Sequence, residues 1–151
     1  MLGGCGGGGA PAVKIVQGSD YHFSAPASWA VSRSGRELQA ADGLALVSVT
    51  RYPLLRKYRP ELWDRVVPEL DRAATQLAKQ QNGDVADSRT VTIAGQRARR
   101  YDIDYERDGK ALVERIAFVL RGRNEYLLLC RYDRGGDTGA CDRLLATFKL
   151  D

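Results

Sequence analysis

Asp102 and Asp104 have the residue type and spacing of a pair of catalytic carboxylates. They lie in the alternating run 97–106, so both would share one face of a strand, about 6–7 Å apart. Paired carboxylates at such distances carry out glycoside hydrolysis. Arg100 and Arg115 offer a simpler role, because opposite charges on neighbouring strands stabilise a sheet. We therefore predict that the aspartates pair with arginines.

Other catalytic patterns are missing from the sequence. His22 is the single histidine, and no acid–thiol or acid–hydroxyl partner lies near it, so we expect a surface or edge-strand histidine. Gly-x-Ser-x-Gly, His-Glu-x-x-His and Ser-x-x-Lys motifs do not occur. Trp29 and Trp63 are predicted to pack in the core rather than stack on a ligand. We predict no catalytic residue, no metal site and no cofactor, and hence a protein that is not an enzyme.

The segment 51–60 has the composition of a binding surface, because it interleaves basic and aromatic residues and contains no acid. Such a segment could contact anionic lipid headgroups or a protein partner, since Arg and Tyr favour interface hot spots. The alternative is a loop whose leucines fill the core. We expect a loop here, with Arg51, Tyr52, Arg56, Lys57, Tyr58 and Arg59 as candidate binding residues.

The overall charge is mildly basic. The 151 residues include 23 Lys or Arg and 19 Asp or Glu, a net charge of +4. Acids are interleaved with the bases through most of the chain, which indicates a solvated mixed-charge surface and no nucleic-acid partner. No run approaches 18 apolar residues, so the sequence predicts no transmembrane helix.

The first residues resemble a bacterial lipoprotein signal. Leu2-Gly3-Gly4-Cys5 is similar to a lipobox, in which the signal peptidase cuts before a cysteine whose thiol carries a lipid. The apolar and basic segments that normally precede a lipobox are missing. We expect a start just upstream of the cleavage site; the alternative is a glycine-rich linker. Residues 1–19 are predicted as a truncated lipobox and a flexible glycine-rich tether, and 20–151 as one domain.

Cys130 and Cys141 are predicted to form a disulfide, because exported proteins occupy oxidising compartments. Cys130 lies in an apolar strand-like run, 125–132, and Cys141 opens a helical run, with three glycines between them that let the chain turn back. Two buried thiols are the main alternative. A metal site fits poorly, because the spacing is not Cys-x-x-Cys.

The remaining pattern predicts an antiparallel sheet with two helices. Asp42-Gly43 and Asp108-Gly109 are hairpin turn signals. A helical stripe begins near Pro60 and ends at Asn82-Gly83, and Pro68 inside it should kink or restart the helix. A second helix is predicted from Gly139 to Lys149. Strands that are apolar on both faces favour an α+β fold, an antiparallel sheet with helices on both faces.

This order resembles the PsbP-like (Mog-type) α-β-α sandwich and the actinobacterial-type exported lipoproteins that carry it. The similar features are Phe23–Pro26 with Trp29, the long central helix, Val91–Gly95 leading into 99–105, and the closing strand and helix that carry Cys130 and Cys141. The resemblance covers about residues 20–150. It implies a non-enzymatic binding, assembly or adaptor domain, and it supplies no catalytic residues.

Together these features predict an extracytoplasmic lipoprotein anchored to the membrane of the cell envelope through Cys5. We expect a non-catalytic binding or assembly module with an envelope protein partner. The alternatives are a carrier of an apolar ligand and an envelope hydrolase.

Overall fold

The computed structural model describes residues 12–151 as two antiparallel sheets and two α-helices. The strands are β1 (Val13–Gln17), β2 (Tyr21–Pro26), β3 (Ala30–Ser34), β4 (Glu37–Asp42), β5 (Ala45–Tyr58), β6 (Asp84–Ile93), β7 (Gln96–Arg107), β8 (Lys110–Asp133) and β9 (Lys149–Leu150). The helices are α1 (Trp63–Gln80), preceded by the 3-10 turn Pro60–Leu62, and α2 (Gly139–Thr147). The large sheet has the order β3-β4-β5-β8-β7-β6, and the small one β1-β2-β9.

Tight turns join most neighbouring strands, as the sequence predicted. Gly43 has a φ of 63°, and Asp108 and Gly109 have φ values of 53° and 77°, the left-handed region that two-residue hairpin turns use. Strand β8 also folds back on itself at Gly122, whose φ is 58°. Its first half pairs with β7 and its second half with β5. The backbone N–H of Arg134 donates to the Ala111 carbonyl at 3.0 Å, which brings the two halves side by side.

Helix α1 covers one face of the large sheet. Its buried residues, Trp63, Leu70, Ala74 and Ala78, recur at the spacing of one helical face and pack on aromatic and branched side chains of β7 and β8. Each fully buried Leu, Ile or Phe side chain contributes roughly 1.5–3 kcal/mol. The helix ends at Gln80, and Asn82 after it has a φ of 56°, while the Gly83 N–H donates to the Ala78 carbonyl at 2.8 Å.

Helix α2 and the small sheet cover the other face. Phe23 and Ala25 of β2, together with Leu144 and Phe148, are completely buried against the large sheet. The fold is therefore an α+β sandwich with a helix on each face of an antiparallel sheet, as predicted. The small sheet in the second layer was not predicted.

Two local predictions were wrong. Val13–Gln17 is a strand rather than a flexible tether, because it pairs with all of β2 from Pro26 to His22. That pairing, with β9 on the other side, makes β2 the central strand of the small sheet. Helix α1 is continuous through Pro68, so of the two predicted outcomes, a kink or a restart, the restart is excluded. The segment 51–60 is largely strand, as described below.

Candidate functional site

The candidate site is a four-residue bulge, Leu54 to Lys57, near the end of β5. Pro53 is paired with Asn124 and Tyr58 with Gly122, so four residues of β5 lie opposite the single residue Arg123. Proline has no N–H to donate to the next rung, and β8 reverses at Gly122, so the extra residues leave the ladder. The prediction of a loop over 51–60 is thus right for these four residues and for Arg59, whereas 51–53 and 58 are paired.

The tip of the bulge is apolar and fully exposed. Leu55 is 100% exposed, the highest value among the exposed large hydrophobic residues in 12–151. Leu54 turns the other way and packs against the cluster beneath α1. The alternative for this segment was a loop whose leucines fill the core, and of these two leucines only Leu54 packs against a core cluster.

Basic side chains surround the tip. Arg56, Lys57 and Arg59 are exposed, and so are Arg121 and Arg123 of the adjoining β8 turn. We call segments 51–61 and 121–125 the cationic end. They contain six Lys or Arg and two Asp or Glu, a net charge of +4. The whole chain has the same net charge, so its other residues balance at 17 of each sign.

The predicted binding residues divide between two faces. Tyr52 is 40% exposed, and Tyr58 is half-buried and packs on the cluster beneath α1. Burial raises the pKa of Tyr58 above its ordinary value, so its hydroxyl stays protonated. Arg51 points instead toward the small sheet, where its guanidinium lies 3.3 Å from the Asp20 carboxylate. The structure therefore groups five of the six predicted residues at the bulge and separates Arg51.

Sequence reasoning missed three residues at this site. Arg121 and Arg123 join it because the β8 turn lies beside the bulge, and Leu55 joins it because the bulge exposes its side chain. The available signal was Arg-Gly-Arg at 121–123, a tight turn that exposes two cations next to whichever strand pairs with it.

A groove of about 440 Å³ separates the bulge from α1. Apolar side chains of Leu54, Leu62, Val66, Leu70 and Leu120 line most of it. Glu125 also lines the groove, and burial raises the pKa of its carboxyl above the ordinary value. No ion pair within 4.0 Å involves Glu125 among residues 12–151. This arrangement suits an apolar guest.

The other candidate residues, Asp102, Asp104 and His22, each lie beside an oppositely charged or hydrogen-bonding side chain of the fold. Arg115 donates to Asp102 through Nε at 2.8 Å and through Nη2 at 3.1 Å, as the sequence predicted. Burial favours a higher pKa for Asp102, but the hydrogen bonds and charge of Arg115 outweigh it and lower the pKa. Asp104 lies 3.9 Å from Arg134 Nε. His22 Nδ1 lies 2.8 Å from the Asp151 carboxylate on the surface.

Buried Glu114 is likewise engaged within the fold. It accepts hydrogen bonds from Gln81 at 2.9 Å and from the Tyr105 hydroxyl at 3.3 Å, and Arg131 lies 3.6 Å away. Among residues 12–151, no group of three or more His, Cys, Asp or Glu side chains is placed to hold a metal ion.

Cys130 and Cys141 form a disulfide that joins β8 to α2. Their Cα atoms are 5.4 Å apart, within the usual range, and both residues are buried. The proposed lipid-bearing Cys5 lies outside the described residues.

A second cavity, of about 360 Å³, lies beside the disulfide at the opposite end of the sheet, against Trp29, Leu44 and Leu46. No helix in 12–151 has the length and apolarity needed to cross a bilayer.

Solved structures are similar to this chain, whereas no family model and no curated protein matches it. The solution structure of cyanobacterial PsbP (CyanoP) from Synechocystis matches with a TM-score of 0.65 and 14% identity over 99% of both chains. A crystal structure from Bacteroides thetaiotaomicron matches with a TM-score of 0.66 and 11% identity over 93% of this chain. This chain spans 48% of that protein's length. The similarity to CyanoP shows a PsbP-like fold.

Proposed function

We propose that this chain is the tethered domain of an extracytoplasmic lipoprotein and acts as a non-catalytic binding or assembly module. Its contact surface is the cationic end. The observation that supports this most is the bulge itself, where Leu55 is fully exposed and surrounded by cations. An exposed leucine contributes nothing to the core, and the arginines and tyrosines in the same segment are residue types that favour interface hot spots.

Two further features support the location and the lack of catalysis. The lipobox-like Leu2–Cys5 and the Cys130–Cys141 disulfide both favour an oxidising compartment outside the cytoplasm. The half-buried Asp102 and the buried Glu114 could serve catalysis, but arginines hold both carboxylates instead.

Site-specific photocrosslinking in living cells tests the contact surface. A benzoyl-phenylalanine replacing Leu55 should crosslink the chain to a partner, either a protein or lipid. The same group replacing Ile15 is the matched control, because Ile15 is also apolar and 70% exposed but lies on β1 of the small sheet. Equal crosslinking at both positions, or none at 55, would contradict the proposal.

A carrier of an apolar ligand is a second candidate, which the groove between the bulge and α1 supports. Its volume of about 440 Å³ falls within the range of small-molecule pockets, and its lining is mainly leucine and valine. In this case the bulge would form one wall of a ligand site.

Filling the groove tests the carrier candidate. Val66→Trp places a large ring in the groove, whereas Arg65→Trp places the same ring on the exposed side of α1. A carrier purified without detergent should yield an extractable apolar molecule by mass spectrometry, and Val66→Trp should lose at least about 90% of it. An empty wild type, or equal loss in both variants, would remove this candidate.

A further inference from the structure

The charge and the shape of the cationic end indicate which kind of partner it contacts. We propose that the cationic end docks on a lipid bilayer containing anionic lipids, with Leu55 inserted below the headgroups. This inference deepens the proposed function, since it rests on the same surface being the contact site.

The distribution of charge is the first observation behind this inference. Five exposed cations belong to the cationic end, while its sixth, Arg51, pairs with Asp20. The residues outside these segments balance at 17 of each sign. A bilayer with anionic lipids attracts such an end and orients the domain, because the rest of the chain carries no net charge. The two acids within the end do not offset it: Glu125 is half-buried in the groove, and Glu61 lies beyond the cations in the 3-10 turn.

The geometry of the tip is the second observation. The bulge in β5 is four residues long, and within it the fully exposed Leu55 is followed directly by Arg56 and Lys57. An apolar side chain flanked by long basic side chains can enter the acyl region while the cations remain at the headgroups. Exposed Tyr52 lies on the adjoining rungs of β5, and tyrosine is suited to the headgroup level.

The third observation is the position of two exposed arginines, Arg121 and Arg123, beside the bulge. They flank Gly122 in the β8 turn, next to the bulge, and both are exposed. No ion pair within 4.0 Å involves Arg56, Lys57, Arg121 or Arg123 among residues 12–151. Their cations are thus available to headgroups from two neighbouring segments, which makes a broad surface rather than a single contact.

Vesicle binding by the full chain tests this inference. The Cys5→Ser chain is used, so that no lipid anchor contributes, with vesicles of phosphatidylcholine alone or with 30% phosphatidylglycerol. We expect binding to the anionic vesicles only, weakening as NaCl rises from 50 to 500 mM. Leu55→Asp should reduce the partition coefficient about tenfold, and the double variant Arg56→Glu/Lys57→Glu at least about twentyfold.

Matched controls separate a specific surface from general charge. Arg107→Glu/Lys110→Glu makes the same charge change at the β7–β8 turn, whose residues are also exposed. Ile15→Asp makes the same polar change at another exposed apolar residue. Both should remain within about twofold of the parent. Since all these positions are exposed, circular dichroism should show unchanged folds.

Two outcomes would overturn the inference. The first is no binding of the parent chain to anionic vesicles at 50 mM NaCl. The second is a loss in Arg107→Glu/Lys110→Glu as large as that in Arg56→Glu/Lys57→Glu. Protein crosslinks at position 55 in cells, together with absent vesicle binding, would retain the proposed function and remove the bilayer as the partner. An absence of both would remove the two proposals together.

Discussion

Glu125 is an acidic residue in a mainly apolar groove, and its burial there affects its protonation. It pairs with Tyr52 across the sheet and lines the groove with leucines around it. Burial raises the pKa of its carboxyl, and no compensating partner offsets this effect. The folded state therefore favours the protonated form, a contribution that is present below the unfolded pKa of about 4.3 and lost as pH rises through the folded value.

Glu125→Gln should consequently be more stable than the wild type at pH 7, with the difference shrinking toward pH 4. The reason is that glutamine carries no charge to desolvate. Urea unfolding between pH 4 and 8 measures this difference. Glu69→Gln, at an exposed glutamate of the same groove, is the control and should change stability by less than about 0.5 kcal/mol. A destabilised Glu125→Gln at pH 7 would show that the carboxylate has a partner.

Residue pairs that depend on strand neighbours were partly predictable. The Asp102–Arg115 pair followed from alternation and opposite charge, and the Cys130–Cys141 disulfide from cysteine number and the glycines between them. The exposure of Leu55 was not predictable, because Leu54 and Leu55 are identical in type and only the bulge gives them opposite environments.

At the scale of elements, the sequence predicted hairpins and helices well, since their signals are local. Turns at Gly43 and Gly109, and the turn at Asn82 after α1, depend on backbone conformations that few residues adopt. The second half of β5 has no such local signal. Proline and clustered basic residues favour a loop, yet 51–53 pair with 124–126 because the β8 strand provides a partner there.

Strand β1 was missed for a similar reason. A run of five residues, Val13–Gln17, next to a glycine-rich segment, has too little local preference to identify it as a strand. Its pairing with β2 decides its structure, and that pairing connects it to the core through Val16. Long-range pairing thus set the two features that sequence reasoning misjudged, the start of the fold and the form of the bulge.

At the scale of the whole molecule, the first described residues and the cationic end lie far apart. The Ala12 carbonyl accepts from Ala27, near Trp29 and the cavity that Leu46 lines. Pro53, where the bulge begins, is seven residues further along β5, about 23 Å away. An anchor at Cys5 and a bilayer contact at Leu55 would therefore hold the domain at two separate points.

Intact mass and membrane fractionation of the wild type and Cys5→Ser, expressed with the full upstream gene sequence, test the central claim most directly. We expect the wild type to carry the added mass of a lipid and to remain with the membrane after a high-salt wash. We expect Cys5→Ser to lack that mass and to be released, because the cationic end alone binds through salt-sensitive attraction. An unmodified Cys5 in a wild-type protein found in the cytosol would contradict the account.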